Sequence, residues 1–335
     1  MISFYLAHNF YQIFGGYTMS FILLIIGFFF LIKGADLFVD GAASIARKFN
    51  IPSMIIGLTI VAMGTSAPEA AVSITSSLSG QNDMSVANVV GSNFFNILVV
   101  LGVSSLISKL PVQKNTIKKD TPFLLIVSGL LLVFGINKYI SRIEGLILLI
   151  VFVYFLYSTV KMAKSATNLD SSSDNEIALA ESDTTTQTPI LKTVILSVIG
   201  ILGIVIGGDM VVDSATSIAT LFGKSANLVG LTIVAIGTSL PEFVTSIVAI
   251  KKGETEIAIG NVIGSNIFNI LLVLGLATFI SPITISTLAL IDIIFMLCIT
   301  ILLYLFMKKD YSLLKKHGII LVGIYIVYMS YTIIR

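Results

Sequence analysis

A chain of 335 residues that is 56% hydrophobic and only 11% charged, with a mean hydropathy of +1.01, is excluded from the ordinary soluble class, whose members are about 25% charged. The single cysteine, Cys298, permits no internal disulfide. With a formal net charge of +2, the chain has no Cys/His cluster for zinc or iron, no GxxxxGK[ST] loop for ATP, and no HExxH or GxSxG motif, so neither an enzyme nor a cofactor is expected.

Apolar runs of about 17 to 25 residues, the length that crosses a bilayer core, recur along the chain. They are continuous and rich in Ile, Leu, Val and Phe, which favours helices over barrel strands. Residues 1–18 lack the basic start of a signal peptide and read as a short extracellular lead or an over-long gene start, since Met19 opens the first span equally well. Ten spans are predicted, at 19–39, 54–78, 85–107, 121–137, 142–162, 190–213, 227–250, 256–280, 284–307 and 316–334. Between the fifth and sixth, residues 163–189 are polar, acidic and Ser/Thr-rich and read as a flexible cytoplasmic linker.

With the N-terminus outside, sixteen Lys and Arg residues fall on or beside inner connections and four (Lys138, Arg142, Lys224 and Arg335) on outer ones. This positive-inside bias orients the chain and supports an even number of spans, with both termini outside. The lipid bilayer is the expected partner and a multi-pass cell-membrane location is expected. The aromatic residues, 10% with no Trp, are scattered through the spans rather than gathered into a nucleic-acid platform. No obligatory protein partner is inferred.

The two halves repeat. GLTIVAMGTSAPE from Gly57 returns as GLTIVAIGTSLPE from Gly230, and NVVGSNFFNILVVLG (88–102) returns as NVIGSNIFNILLVLG (261–275). All of these pairs lie 173 residues apart. The first half spans 19–162 with its motif at 57–102; the second spans 190–335 with its motif at 230–275. Five spans per half is an odd number, so the halves are expected to enter the membrane in opposite directions. Such inverted repeats mark secondary transporters, though channels can be built from them too.

Within the second span, Gly64 weakens the helix and Pro68 cannot donate a backbone hydrogen bond. A new helix is expected to start there, with Ser66 as N-cap and Glu69 at the third position, forming a capping box; Ser239, Pro241 and Glu242 repeat it. A purely structural cap is one reading. The other is functional, because an ionisable residue inside an apolar span usually marks an ion or proton path. Of eighteen acidic residues, only Glu69 and Glu242 lie near the middle of a confident span. The break is expected to free carbonyls near Ala62, Thr65, Ala235 and Thr238, beside the hydroxyls of Thr65, Ser66, Thr238 and Ser239. Such hard oxygen ligands suit Ca²⁺, and Na⁺ as well.

Ser92 and Asn96 share one helix face, as do Ser265 and Asn269, and are expected to face the ions rather than only to pack. Asn88 and Asn261 are expected to hold the segment in place. Asp36 and Asp209 read as interfacial anchors or members of other pairs, Asp292 as structural or interfacial. His8 and His317 lie far from any candidate site.

The paired GTSxPE and GSNxFN segments resemble the alpha repeats of the cation/calcium exchanger superfamily, and are most similar to those of prokaryotic sodium/calcium exchangers. The resemblance covers nearly the whole chain. It implies an all-α integral membrane protein of ten transmembrane helices in two inverted five-helix repeats, with four central ion sites. It implies that Glu69 and Glu242 bind Ca²⁺ and share in binding Na⁺, joined by Thr65 and Thr238. It further implies that Ser66, Ser239, Ser92, Ser265 and the carbonyls of Ala62 and Ala235 line flanking Na⁺ sites, and that Asn96 and Asn269 close the middle site. The implied activity is antiport of about three Na⁺ for one Ca²⁺, with the first and sixth helices sliding across the other eight. Some archaeal members and the potassium-dependent branch carry an aspartate where this chain has Asn269, which argues against potassium dependence. The proton/calcium branch has a GNxxE pattern in place of GTSxPE. A proton/cation exchanger remains the alternative, and a cation channel a more remote one.

Overall fold

The computed structural model describes residues 2–80, 82–173, 189–221 and 235–334. Helix α1 runs Ile2–Lys48, so the expected lead is continuous with the first span. Helix α2 (Ser53–Thr65) and helix α3 (Ala67–Leu78) meet at a 48° bend. Helix α4 follows (Met84–Ile107), then α5 (Thr121–Gly135), α6 (Arg142–Ser173) and α7 (Ile190–Leu221). A short helical stretch, Ala235–Gly237, precedes α8 (Leu240–Lys251). Helices α9 (Thr255–Ile280), α10 (Thr287–Asp310) and α11 (Lys315–Ile334) complete the chain.

Among the described residues, six helices are long and apolar enough to cross a membrane, or seven if the bent pair α2–α3 is one span. Helix α6 continues through Ser173, past the expected span end at 162 and into the expected linker. Its sequence there holds Ala, Lys and Leu, good helix formers, and neither Gly nor Pro. The rest of that linker (174–188) and the start of the predicted seventh span (227–234) lie outside the described residues.

Helices α4 and α9 form the centre. Their apolar windows are 72% and 78% buried, against about a third or less for α1, α6, α7 and α10. The outer pair α1 and α7 cross at glycines: a Cβ on Gly34 would stand 2.7 Å from the Gly200 carbonyl oxygen. Small residues of this kind let helix backbones touch where lipid supplies no hydrophobic drive. Helix α9 meets α2 in the same manner, since a Cβ on Gly264 would lie 2.6 Å from the Leu58 carbonyl oxygen.

Two short antiparallel ladders tie the connections together. Strand β1 (Leu110–Pro111) pairs with β4 (Ser312–Leu313), and β2 (Tyr139–Ile140) pairs with β3 (Ile283–Thr284). Under the 173-residue offset β1 corresponds to β3 and β2 to β4, so each ladder joins one strand from each half. At one end Arg47 also reaches Glu254 at 2.9 Å, and Lys252 bridges Asp36 at 2.6 Å and Asp40 at 2.7 Å. At the other, Lys138 donates to Thr287 and Arg142 to the Ile280 carbonyl. All of these contacts join segments that the charge pattern places on one side.

Candidate functional site

The bend between α2 and α3 puts Ser66 at φ −82°, ψ 9°, and Ser239 before α8 adopts φ −92°, ψ 5°. Pro68 and Pro241 sit in the first turn after each break. Both serines hold the N-cap position, but neither side chain caps its own helix. The expected capping box is absent; each hydroxyl instead points its proton across the molecule. Ser66 Oγ donates to Glu242 Oε1 at 2.9 Å, and Ser239 Oγ donates to Glu69 Oε1 at 3.1 Å.

Glu69 and Glu242 are fully buried and close enough for their charges to repel. Each has one oxygen held by the opposite serine. The other, Oε2 of both residues, has no partner among the described residues. Buried carboxylate oxygens without partners are costly, so their recurrence in both halves calls for a counter-charge.

Neutral oxygens surround the pair. Ser92 lies beside Glu69, and Thr65 and Ser265 lie beside Glu242. Ser92 Oγ makes no hydrogen bond among the described residues. Thr65 Oγ1 approaches Ser265 Oγ at 3.4 Å. Asn96 and Asn269 are fully buried and each leaves Oδ1 unpartnered among the described residues. Among the described residues the unpartnered groups here are carboxylate, amide and hydroxyl oxygens, with one amide nitrogen, Asn266 Nδ2. Among the described residues no three His, Cys, Asp or Glu side chains gather, so the two glutamates supply the only anionic charge.

The threonines are braced by asparagines of the other half. Thr65 Oγ1 donates to Asn261 Oδ1 at 3.0 Å, and Thr238 Oγ1 to Asn88 Oδ1 at 3.4 Å. In turn Asn261 Nδ2 donates to Ser246 Oγ and the Glu242 carbonyl, and Asn88 Nδ2 to Ser73 Oγ and the Glu69 carbonyl. The expectation that Asn88 and Asn261 hold the segment agrees with this bracing. Each contact recurs 173 positions on with the halves exchanged.

The Ala62 carbonyl accepts the Ser66 backbone N–H at 3.0 Å, which occupies one of its two lone pairs. Ala235 opens the short stretch before the second break. Asp36 pairs with Lys33 and Lys252, as an anchoring residue should. Sequence reasoning missed Asn93 and Asn266, which bind the amides of Asn269 and Asn96. Their signal was present, since both are the Asn of GSN and stand 173 apart, but nothing in the letters says which asparagine faces an ion.

A sequence profile for a family described as sodium/calcium exchanger protein matches residues 19–161 and 192–334. The putative antiporter CaxA of Alkalimonas amylolytica is 44% identical over 261 residues, which is 78% of this chain and 81% of that protein. The sodium/calcium exchanger MaX1 of Methanosarcina acetivorans is 32% identical, covering 93% of this chain and 98% of its own length. The solved structure of the sodium-calcium exchanger NCX_Mj, soaked with 10 mM Na⁺ and 10 mM Sr²⁺, superposes with a TM-score of 0.81 at 32% identity. It covers 93% of this chain and 98% of that one.

Proposed function

The chain belongs to the sodium/calcium exchanger family, transmembrane antiporters that match it along both halves, and on that premise we propose that it exchanges Na⁺ for Ca²⁺ by alternating access. The observation that carries this reading is the pair of unpartnered buried oxygens, Glu69 Oε2 and Glu242 Oε2, set among neutral oxygens. Six to eight hard oxygens in flexible geometry is what Ca²⁺ accepts. Glu69 and Glu242 would hold the divalent ion, with Thr65, Thr238, Asn96 and Asn269 nearby. Ser66, Ser239, Ser92, Ser265 and the carbonyls of Ala62 and Ala235 would complete flanking Na⁺ sites.

The proposed architecture is ten spans in two inverted repeats with both termini outside, in the cytoplasmic membrane. Hydrogen bonds that recur with halves exchanged are what a two-fold axis in the membrane plane would give. The ladders and ion pairs, which join only like-sided connections, support the alternation of the spans.

Two carboxylates are neutralised by one Ca²⁺ but over-compensated by three Na⁺, so the proposed cycle moves one positive charge with the Na⁺. Radiolabelled Ca²⁺ uptake into proteoliposomes loaded with Na⁺ and diluted into choline, Na⁺ or K⁺ media tests it. Uptake is expected only with an outward Na⁺ gradient, and faster when K⁺ and valinomycin make the lumen positive. Uptake that ignores the Na⁺ gradient and instead needs a proton gradient would assign the protein to proton coupling.

A further inference from the structure

An amide is an ambiguous ligand. Its oxygen attracts a cation and its NH₂ repels one, and the two ends differ little in shape. Which end faces a site is set by the surrounding hydrogen bonds. Around Asn269 those bonds form a chain with a fixed end. The Asn266 backbone carbonyl can only accept, and Asn93 faces it with Nδ2 at 3.4 Å. Asn93 must therefore turn Oδ1 the other way, where it accepts Asn269 Nδ2 at 3.1 Å. Asn269 is left with its oxygen unpartnered among the described residues. All three asparagines are essentially fully buried, so water does not compete for these choices.

We infer that Asn93 is a positioning residue of the ion site: it takes the amino end of Asn269 and so makes that amide a neutral oxygen ligand. This rests on the reading of the central oxygens as a cation site. The opposite half is less constrained. Asn96 Nδ2 reaches Asn266 Oδ1 at 3.4 Å, but Asn266 Nδ2 finds no acceptor among the described residues. No carbonyl fixes that chain, so Asn266 orients Asn96 more weakly than Asn93 orients Asn269.

A carboxylate at position 269 has no wrong end and needs no orientation. This gives a test that a packing role would fail. Asn93→Leu, close in shape and without polar atoms, is assayed for apparent Ca²⁺ KM in Na⁺-dependent uptake, and for equilibrium binding of radiolabelled Ca²⁺ to the purified protein in detergent. KM and the dissociation constant are expected to rise about tenfold or more, the size of one lost ligand bond, while kcat changes little. Asn266→Leu is expected to cost less. Asn269→Asp is expected to bind Ca²⁺ on its own, and because it sets a carboxylate oxygen against Asn93 Oδ1, adding Asn93→Leu is expected to leave binding unchanged or tighter, with any loss less than about threefold, well inside one tenfold step of affinity.

An unchanged KM in Asn93→Leu overturns the inference. So does a loss in the Asn269→Asp background as large as in the parent, which would make Asn93 a packing residue. If Asn93→Leu and a companion Asn93→Ala fail to fold, recovery of folded, Ca²⁺-binding protein on adding Asn269→Asp supports the inference, and continued misfolding overturns it. A parent protein that binds neither Ca²⁺ nor Na⁺ overturns the cation-site reading, and this inference with it.

Discussion

Glu242→Gln separates the charge of the proposed site from its shape. Glu242 is fully buried, its Oε1 accepts from Ser66 at 2.9 Å, and its Oε2 has no partner among the described residues. Glutamine keeps the Oε1 acceptor and nearly the same volume but removes one of the two negative charges. At a Ca–O distance of about 2.4 Å and an effective dielectric constant of about 20, one carboxylate attracts a divalent ion by about 14 kcal/mol before dehydration is counted. If only a quarter of that survives, about 3.5 kcal/mol, affinity falls several hundredfold. Folding should not suffer, because replacing an uncompensated buried carboxylate by an amide is neutral or stabilising. The expected result is a monodisperse protein with a melting temperature in detergent, without ions, at or above that of the parent, and no measurable Na⁺-dependent Ca²⁺ uptake. Glu69→Gln, whose Oε1 is held by Ser239, should match it. Uptake within twofold of the parent in both variants would refute the two-carboxylate site.

Two further outcomes follow from the packing and from the ionic end. A Cβ at Gly264 would lie 2.6 Å from the Leu58 carbonyl oxygen and 2.7 Å from the Ala62 Cβ. Gly264→Ala must therefore push α9 from α2 beside Ser265, and should cost about 1–3 kcal/mol in detergent stability, with a larger fractional loss of exchange. Lys252 bridges Asp36 and Asp40. Burial opposes its charge, but the hydrogen bonds to the two aspartates outweigh that and hold its pKa above the ordinary 10.5. Because the folded value is the raised one, this contribution is complete below pH 10.5 for as long as the two aspartates stay ionised, and on the alkaline side it is lost as pH climbs through the folded value. The groups are partly exposed, so Lys252→Met should cost no more than about 1 kcal/mol per pair, shrinking as salt is added. A melting difference between parent and variant that vanished near neutral pH would contradict this.

The parts legible in the sequence were those that obey local rules or repeat. Continuous apolar runs marked the helices, and the 173-residue offset singled out Glu69 with Glu242 and Ser92 with Ser265 before any coordinates. The capping box failed because its logic is local. In water Ser66 would turn its oxygen to its own helix, but here a charge-assisted bond to a buried carboxylate of the other half sets the side chain's direction, and sequence spacing carries no trace of a partner 176 positions away. The two-residue ladders have no propensity signal at all, since they exist only because two connections arrive at the same end. Lys252 could be counted toward orientation but not placed on Asp36, which lies 216 residues earlier. The amide relay was hidden for a subtler reason: the motif contains three asparagines per half, and only geometry distinguishes the one that offers its oxygen from the one that turns it.

The same two orphan oxygens that are proposed to hold an ion also bear on why exchange should be coupled. If the site empties while sealed from water on both sides, two carboxylates stay buried with, among the described residues, a single serine hydroxyl each. Several kcal/mol per uncompensated buried ion is the expected cost, so the unloaded protein should rarely cross between its two faces. At the proposed site either Ca²⁺ or Na⁺ would remove that cost, and both would need Glu69 Oε2 and Glu242 Oε2, so they would bind in turn rather than together. The prediction is therefore self-exchange without leak. Proteoliposomes loaded with radiolabelled Ca²⁺ and diluted into choline with a chelator should retain their label. Adding unlabelled Ca²⁺ or Na⁺ outside should release it. A fast loss into choline alone would mean that the empty site crosses freely; the buried charge would then not be what enforces exchange, and a continuous conducting path would account better for the same pair of glutamates.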